Sequence, residues 1–192
     1  INLDELPEYV EKRYDKKKIV FIGIDFVRKG GYLLLEAFQN VRKKYPEAEL
    51  DIIGPALDSV RADLSLKTNV NFHGRLNKTN PNHLAKFNSI ISEASLFVMP
   101  SLYEPFGIAP LEAMAYKTPC LLPNNWAFPE MVKPGWNGDL FNQGDIKDLE
   151  LKITYYLSKE NELFDMGKNA KEFVKKHYTW DAVIEKMKKF LI

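Results

Sequence analysis

From Lys18 onward, short apolar runs alternate with longer segments whose apolar residues return every three or four positions. "IVFIG" (19–23) is continuous and β-branched, as a strand covered on both faces should be. The segment after it, "GGYLLLEAFQNVRKKYP", carries Leu34, Ala37, Phe38 and Val41 at helical spacing. The same reading gives strands at 49–54, 70–74, 96–100, 119–123 and 138–141, with helices at 82–94 and 106–117. Three helical segments, 146–159, 161–176 and 180–191, close the chain. Asp145 and Thr179 stand as N-caps before the first and last of them.

Strand–helix alternation with apolar strands predicts an α/β fold: a doubly wound, Rossmann-like parallel sheet of about six strands with helices on both faces. Residues 1–17 are charged and unpatterned and are expected to form a lead-in or interdomain segment, with the domain over 18–192. In such sheets ligands bind beyond the carboxyl ends of the strands. The turns after Gly23, Gly54, Gly74, Pro100 and Pro123 are therefore where chemistry is expected.

Composition narrows the classes. A formal charge of +1 over 192 residues argues against nucleic acid or an anionic membrane as the main partner. No apolar run approaches the roughly 20 residues of a membrane-spanning helix. One cysteine, Cys120, excludes an internal disulfide and suits a reducing, cytoplasmic setting. The chain starts at Ile1 with no methionine or signal pattern, so it is expected to be a piece of something longer.

Two turns hold candidate chemistry. In "GIDFVRKGG" (23–31), Lys29 stands just before a helix N-terminus, where a cation opposes the helix dipole unless an anion lies between. Either Lys29 and the first free amides of that helix hold a phosphate, or it is a solvated lysine beside Asp25. There is no G-x-G-x-x-G and no Walker-type loop. In "LYEPFGIAPLEAMA" (102–115), Pro105 keeps Glu104 in the loop, at the lip of the crevice. Gly107 allows close approach to the backbone, and the N–H groups of Gly107 and Ile108 start a helix. Glu112 lies deeper, inside that helix. Carboxylates accept from vicinal hydroxyls such as those of a ribose or hexose. Helix-dipole placement of Glu104 and a solvated helix face for Glu112 are the plain alternatives.

"EPFGIAPLE" matches the E-x7-E motif of retaining, nucleotide-sugar-dependent glycosyltransferases. With "FIGIDFVRKGGYLLLEAF", "ELDIIGP", "NVNFHGRL", "LFVMPSLYEPFGIAPLEAMAYKTPCLLP", "PEMVKPGWNGDLF" and "HYTWDAV" in order, the chain from Lys18 to its end resembles the carboxy-terminal, donor-binding domain of the group 1 (family 4) enzymes of GT-B fold. That resemblance implies a nucleoside-diphosphate sugar as donor substrate, no cofactor, and retention of anomeric configuration. It also implies a partner amino-terminal domain, absent here, that supplies most of the acceptor site.

By position, it assigns Lys29, with Arg28, to the diphosphate, and the amides of Gly107 and Ile108 to its cradle. Glu112 falls on the ribose, and Glu104 on the transferred sugar as the catalytic carboxylate. The turns at Gly54 and at Arg75–Leu76 fall around the base. No D-x-D element occurs, which agrees with a metal-independent site.

Two positions depart from the family pattern. Ile24 stands where an arginine is common, and Trp126-Ala127-Phe128 replaces a glycine pair, with bulky rings that narrow or cover the sugar pocket. These departures keep a second reading open, a non-catalytic nucleotide-binding or partner-docking module of the same fold. A sugar-nucleotide epimerase, the third, lacks obvious acid–base residues here. His73 reads as a strand-end histidine lining the cleft, and His83 and His177 show no metal spacing with Cys120. The lysine-rich close of the chain reads as a packed helix pair docking partly on the missing domain. Peripheral membrane contact fits that stretch but is not required.

Overall fold

The computed structural model describes residues 12–189. Six parallel strands form one sheet: β1 (Lys18–Ile22), β2 (Glu49–Ile53), β3 (Val70–Phe72), β4 (Leu96–Val98), β5 (Cys120–Pro123) and β6 (Gly138–Phe141). Their order is β3-β2-β1-β4-β5-β6. β1 is central, with Ile19 paired to both Leu50 and Leu96, and Val20 to Asp51 and Phe97. Ile19, Val20, Phe21, Leu50, Ile52, Leu96 and Phe97 are fully buried, as strands covered on both faces require.

The helices are α1 (Gly31–Lys44), α2 (Pro81–Glu93), α3 (Ile108–Ala115), α4 (Phe128–Met131), α5 (Ile146–Tyr156), α6 (Glu160–His177) and α7 (Trp180–Lys188). α1 packs on α5 and α3 on α6. The expected N-caps are in place: Asp145 accepts from the Asp148 N–H at 2.9 Å, and Thr179 from the Ala182 N–H at 3.2 Å.

Several boundaries move for local reasons. β4 stops at Val98, two residues before the proline expected to end it. α3 begins at Ile108 and not at 106, because Gly107 has φ +88° and cannot be helical. Two short 3-10 turns, Leu57–Ser59 and Leu64–Lys67, and the four-residue α4 occupy stretches where the sequence pattern gave no element. Residues 1–11 of the expected lead-in lie outside the described residues. Its end is tied in: Tyr14 is buried and donates to the Lys117 carbonyl at 2.6 Å.

The closing helices contact each other but share the core unequally. α6 buries Leu163, Met166, Ala170, Phe173 and Val174, whereas α7 buries no residue and leaves Trp180, Ile184 and Met187 exposed. Its apolar stripe has the right period but finds no core within the described residues.

Candidate donor site at the sheet switch point

Because β2 and β3 lie on one side of β1 and β4 to β6 on the other, the order in which strands join the sheet reverses between β1 and β4. The crevice this opens at the strands' carboxyl ends is lined by the turns after β1 and β4. In the first turn the N–H groups of Lys29, Gly30 and Gly31 donate to the carbonyls of Asp25, Val27 and Phe26 at 2.8–3.0 Å. The N–H groups of Lys29, Gly30 and Gly31 are thus used within the turn itself, so any free amide at this end of α1 lies beyond Gly31. Gly30, at φ +73°, lies so close to β4 that a Cβ there would sit 1.9 Å from the Pro100 carbonyl oxygen. The Leu102 N–H closes the seam by donating to the Arg28 carbonyl at 2.9 Å.

This seam draws the two turns' charges together. Lys29 Nζ forms an ion pair with Glu104 Oε2, and Arg28 Nη1 lies 3.8 Å from the same oxygen. The Lys29 and Glu104 side chains are only 14% and 12% exposed, so Lys29 is no solvated surface lysine. Its stem passes over Gly23, where a Cβ would come within 2.9 Å of it. Burial first, and the Arg28 guanidinium second, pull the Lys29 ammonium down to about 8, with Asp25 opposing. Arg28 is held by Asp25 (3.1 Å) and the Tyr103 carbonyl (3.0 Å), bracing the turn from outside.

The order of depth expected for the two glutamates is reversed. Glu104 is buried rather than at the lip, under Gly107, whose Cβ position lies 3.3 Å from Glu104 Cγ. Glu112 is the more open of the two, with its side chain 26% exposed and paired through Oε1 with Lys78. The N–H groups of Gly107 and Ile108 have no hydrogen-bond partner among the described residues, and they open α3 beside the Lys29–Glu104 pair.

A cavity of about 330 Å³ continues from Gly23 and Gly54 to Arg75, Leu76, Lys78 and Phe87. Gly54, Arg75 and Leu76 thus line one space, as their assignment to the base requires.

Other candidates fall elsewhere. His73 Nε2 lies 2.7 Å from Asp51 Oδ1 at the end of β3. Phe128 is in the core against Gly107, while Trp126, at φ +59°, packs edge-on against Tyr103 at 4.6 Å. Gln143 ties that rim together, donating to the Ser101 and Leu102 carbonyls and accepting from Asn125. Sequence reading missed Lys78, Tyr103 and Gln143. Only Lys78 had a usable signal, lying in the loop that leaves β3 at the sheet's ligand-binding edge. Among the described residues no three His, Cys, Asp or Glu side chains gather to hold a metal ion, and no helix is long and apolar enough to cross a membrane.

The fold, the strand order and this crevice define a Rossmann-like domain of the GT-B type. The chain belongs to the glycosyl transferases of group 1, whose family model matches residues 4–173. It is 29% identical over 174 residues to an uncharacterized glycosyltransferase of Methanocaldococcus jannaschii, covering 88% of this chain and 43% of that protein.

Among solved structures it is similar to the C-terminal domain of the group 1 glycosyl transferase LpcC from Francisella tularensis (TM-score 0.77, 20% identity, 94% of this chain and 99% of that one). It is also similar to HepE of Anabaena in complex with UDP and glucose (TM-score 0.76, 20% identity, 92% and 48%). The chain spans about half the length of the first curated relatives it matches.

Proposed function

We propose that this chain is the donor-binding half of a glycosyltransferase that moves a sugar from a nucleoside diphosphate to an acceptor. One observation carries the reading: a buried lysine–glutamate pair lies at the switch point directly under two partnerless amides at the start of α3. A pyrophosphate entering there meets Lys29 and the N–H groups of Gly107 and Ile108, which together supply charge and directed donors. Lys29 then exchanges the Glu104 carboxylate for phosphate oxygens, and Glu104 is left beside the sugar attached to them. As the bond from anomeric carbon to phosphate oxygen breaks, charge grows on the departing diphosphate. Lys29 and the amides stabilise it without a metal ion, while Glu104 stabilises the opposite charge on the sugar. Glu112 takes the ribose hydroxyls, and the 330 Å³ cavity takes the base.

The solved relative holding UDP and glucose agrees with a nucleotide sugar as the ligand class. Retention of configuration follows the family resemblance. The acceptor is assigned to an amino-terminal domain, so this fragment alone is expected to transfer no sugar.

Calorimetry with UDP, GDP and ADP tests the reading. At least one should bind, and Lys29→Met should weaken it tenfold or more, since a charge-assisted contact is worth about 1.5–3 kcal/mol. Equal affinity in both proteins sinks the assignment.

A further inference from the structure

The side chains that line the cavity beside Glu112 are one-sided in their hydrogen-bonding character. Its charged lining consists of Arg75 and Lys78, and no Asp or Glu lines it. Both side chains are donors only. Arg75 has no hydrogen-bond or ion-pair partner among the described residues, so its guanidinium is uncommitted. The one side-chain acceptor in the lining, the Asn77 amide oxygen, is already used by the N–H and hydroxyl of Thr79, at 3.1 and 3.0 Å. Isoleucines, glycines, Leu76 and Phe87 make up the rest.

Lys78 is also held in place. Its ammonium is paired with Glu112 Oε1 and lies 3.9 Å from the centre of the Phe87 ring. An ammonium has three N–H donors and a carboxylate about four acceptor positions. One contact between them therefore leaves Lys78 donors for the cavity and leaves Glu112 room for two ribose hydroxyls.

We propose that Lys78, fixed between Glu112 and Phe87, selects the base of the nucleotide. With Arg75 it admits a base with a carbonyl oxygen at position 4 of a pyrimidine or position 6 of a purine, uracil or guanine, and disfavours one with an exocyclic amine at that position. This deepens the donor-site reading and rests on it. Against an amine, the lysine donors face hydrogens rather than lone pairs, and both groups lose water without gaining a bond. Uracil and cytosine have nearly the same shape but opposite hydrogen-bonding groups at position 4. A comparison of UDP with CDP therefore isolates the effect.

Calorimetry on the chain with UDP, CDP, GDP and ADP should give UDP and GDP at least about tenfold tighter than CDP and ADP, one net hydrogen bond's worth of discrimination. Lys78→Met, which keeps the stem over Phe87, should bring the UDP to CDP ratio toward one, and Lys78→Arg should retain it. Losing the contact to Glu112 weakens both ligands together and leaves the ratio unaffected. Wild type binding CDP or ADP as tightly as UDP overturns the proposal, as does an unchanged ratio in Lys78→Met. If no nucleoside diphosphate binds at all, the donor-site reading fails and takes this inference with it. Tight binding without base preference overturns the inference alone.

Discussion

Gly30 and Gly135 form a matched pair for testing what holds the crevice together. Their φ angles are +73° and +74°, but a Cβ on Gly30 meets the Pro100 carbonyl oxygen at 1.9 Å, while one on Gly135 meets nothing within 4 Å. Alanine in the left-handed region costs about 1–2 kcal/mol at either site. The entropy alanine removes from the unfolded chain is common to both and cancels in the comparison. Only Gly30→Ala adds a collision: against a C···O contact distance of ~3.3 Å, the two turns must part by roughly 1.4 Å. Forced overpacking typically adds about 1–3 kcal/mol. Gly30→Ala should therefore lose about 2–5 kcal/mol and Gly135→Ala about 1–2 kcal/mol. For a chain of this length the larger loss lowers Tm by about 4–20 °C. Urea denaturation of the two variants side by side measures the difference. Because the seam also aligns Lys29 with Glu104, Gly30→Ala should weaken nucleotide binding while Gly135→Ala leaves it intact. Equal stability losses, with affinity preserved in both, would refute the claim that this close approach builds the site.

Nucleotide affinity should depend on pH through Lys29. Its ammonium titrates at about 8 in the free site, and a bound pyrophosphate favours the charged form and raises that value. Affinity is thus full below about pH 8 and falls by up to tenfold per unit above it, so a calorimetric series to about pH 10 that stays flat contradicts the role. Gly107→Ala, at φ +88° with its Cβ 3.1 Å from Phe128 and 3.3 Å from Glu104, should crowd the amide cradle. It should reduce affinity more than the roughly 1–2 kcal/mol of stability it removes, as parallel calorimetry and denaturation would reveal. Lys117 follows α3 at φ +57°, the position helices usually give to glycine. Lys117→Gly should add about 0.5–1 kcal/mol of stability and so raise the urea midpoint, and a lower midpoint counts against strain there.

The sheet was legible because its strands are continuous apolar runs and its longer helices carry a clean 3.6-residue period. The place of the crevice was legible too, since the alternation of strands and helices implies a switch point in the sheet. Its internal wiring was not. Glu104 reads as a rim residue from its neighbours, and only pairing across the sheet with Lys29 draws it under Gly107. Lys78 meets Glu112 across 34 positions of sequence, and no local pattern announces such a contact. The amides of Gly30 and Gly31 looked available because the turn that consumes them depends on backbone angles the composition only hints at. For α7 the amphipathic spacing announced an apolar face but not where its partner lies.

The salt link between Lys29 and Glu104 means the resting pocket carries its own competitor. Any incoming anion must displace a tethered carboxylate whose local concentration, by analogy with short linkers, is of the millimolar order or above. A lone inorganic phosphate brings little beyond its charge and contends with that tether unaided. Under the proposed function a whole nucleotide would also gain from ribose and base, so the extra grip at its far end would offset the displacement. The built-in carboxylate thereby screens out small anions by requiring every guest to hold on in more than one place.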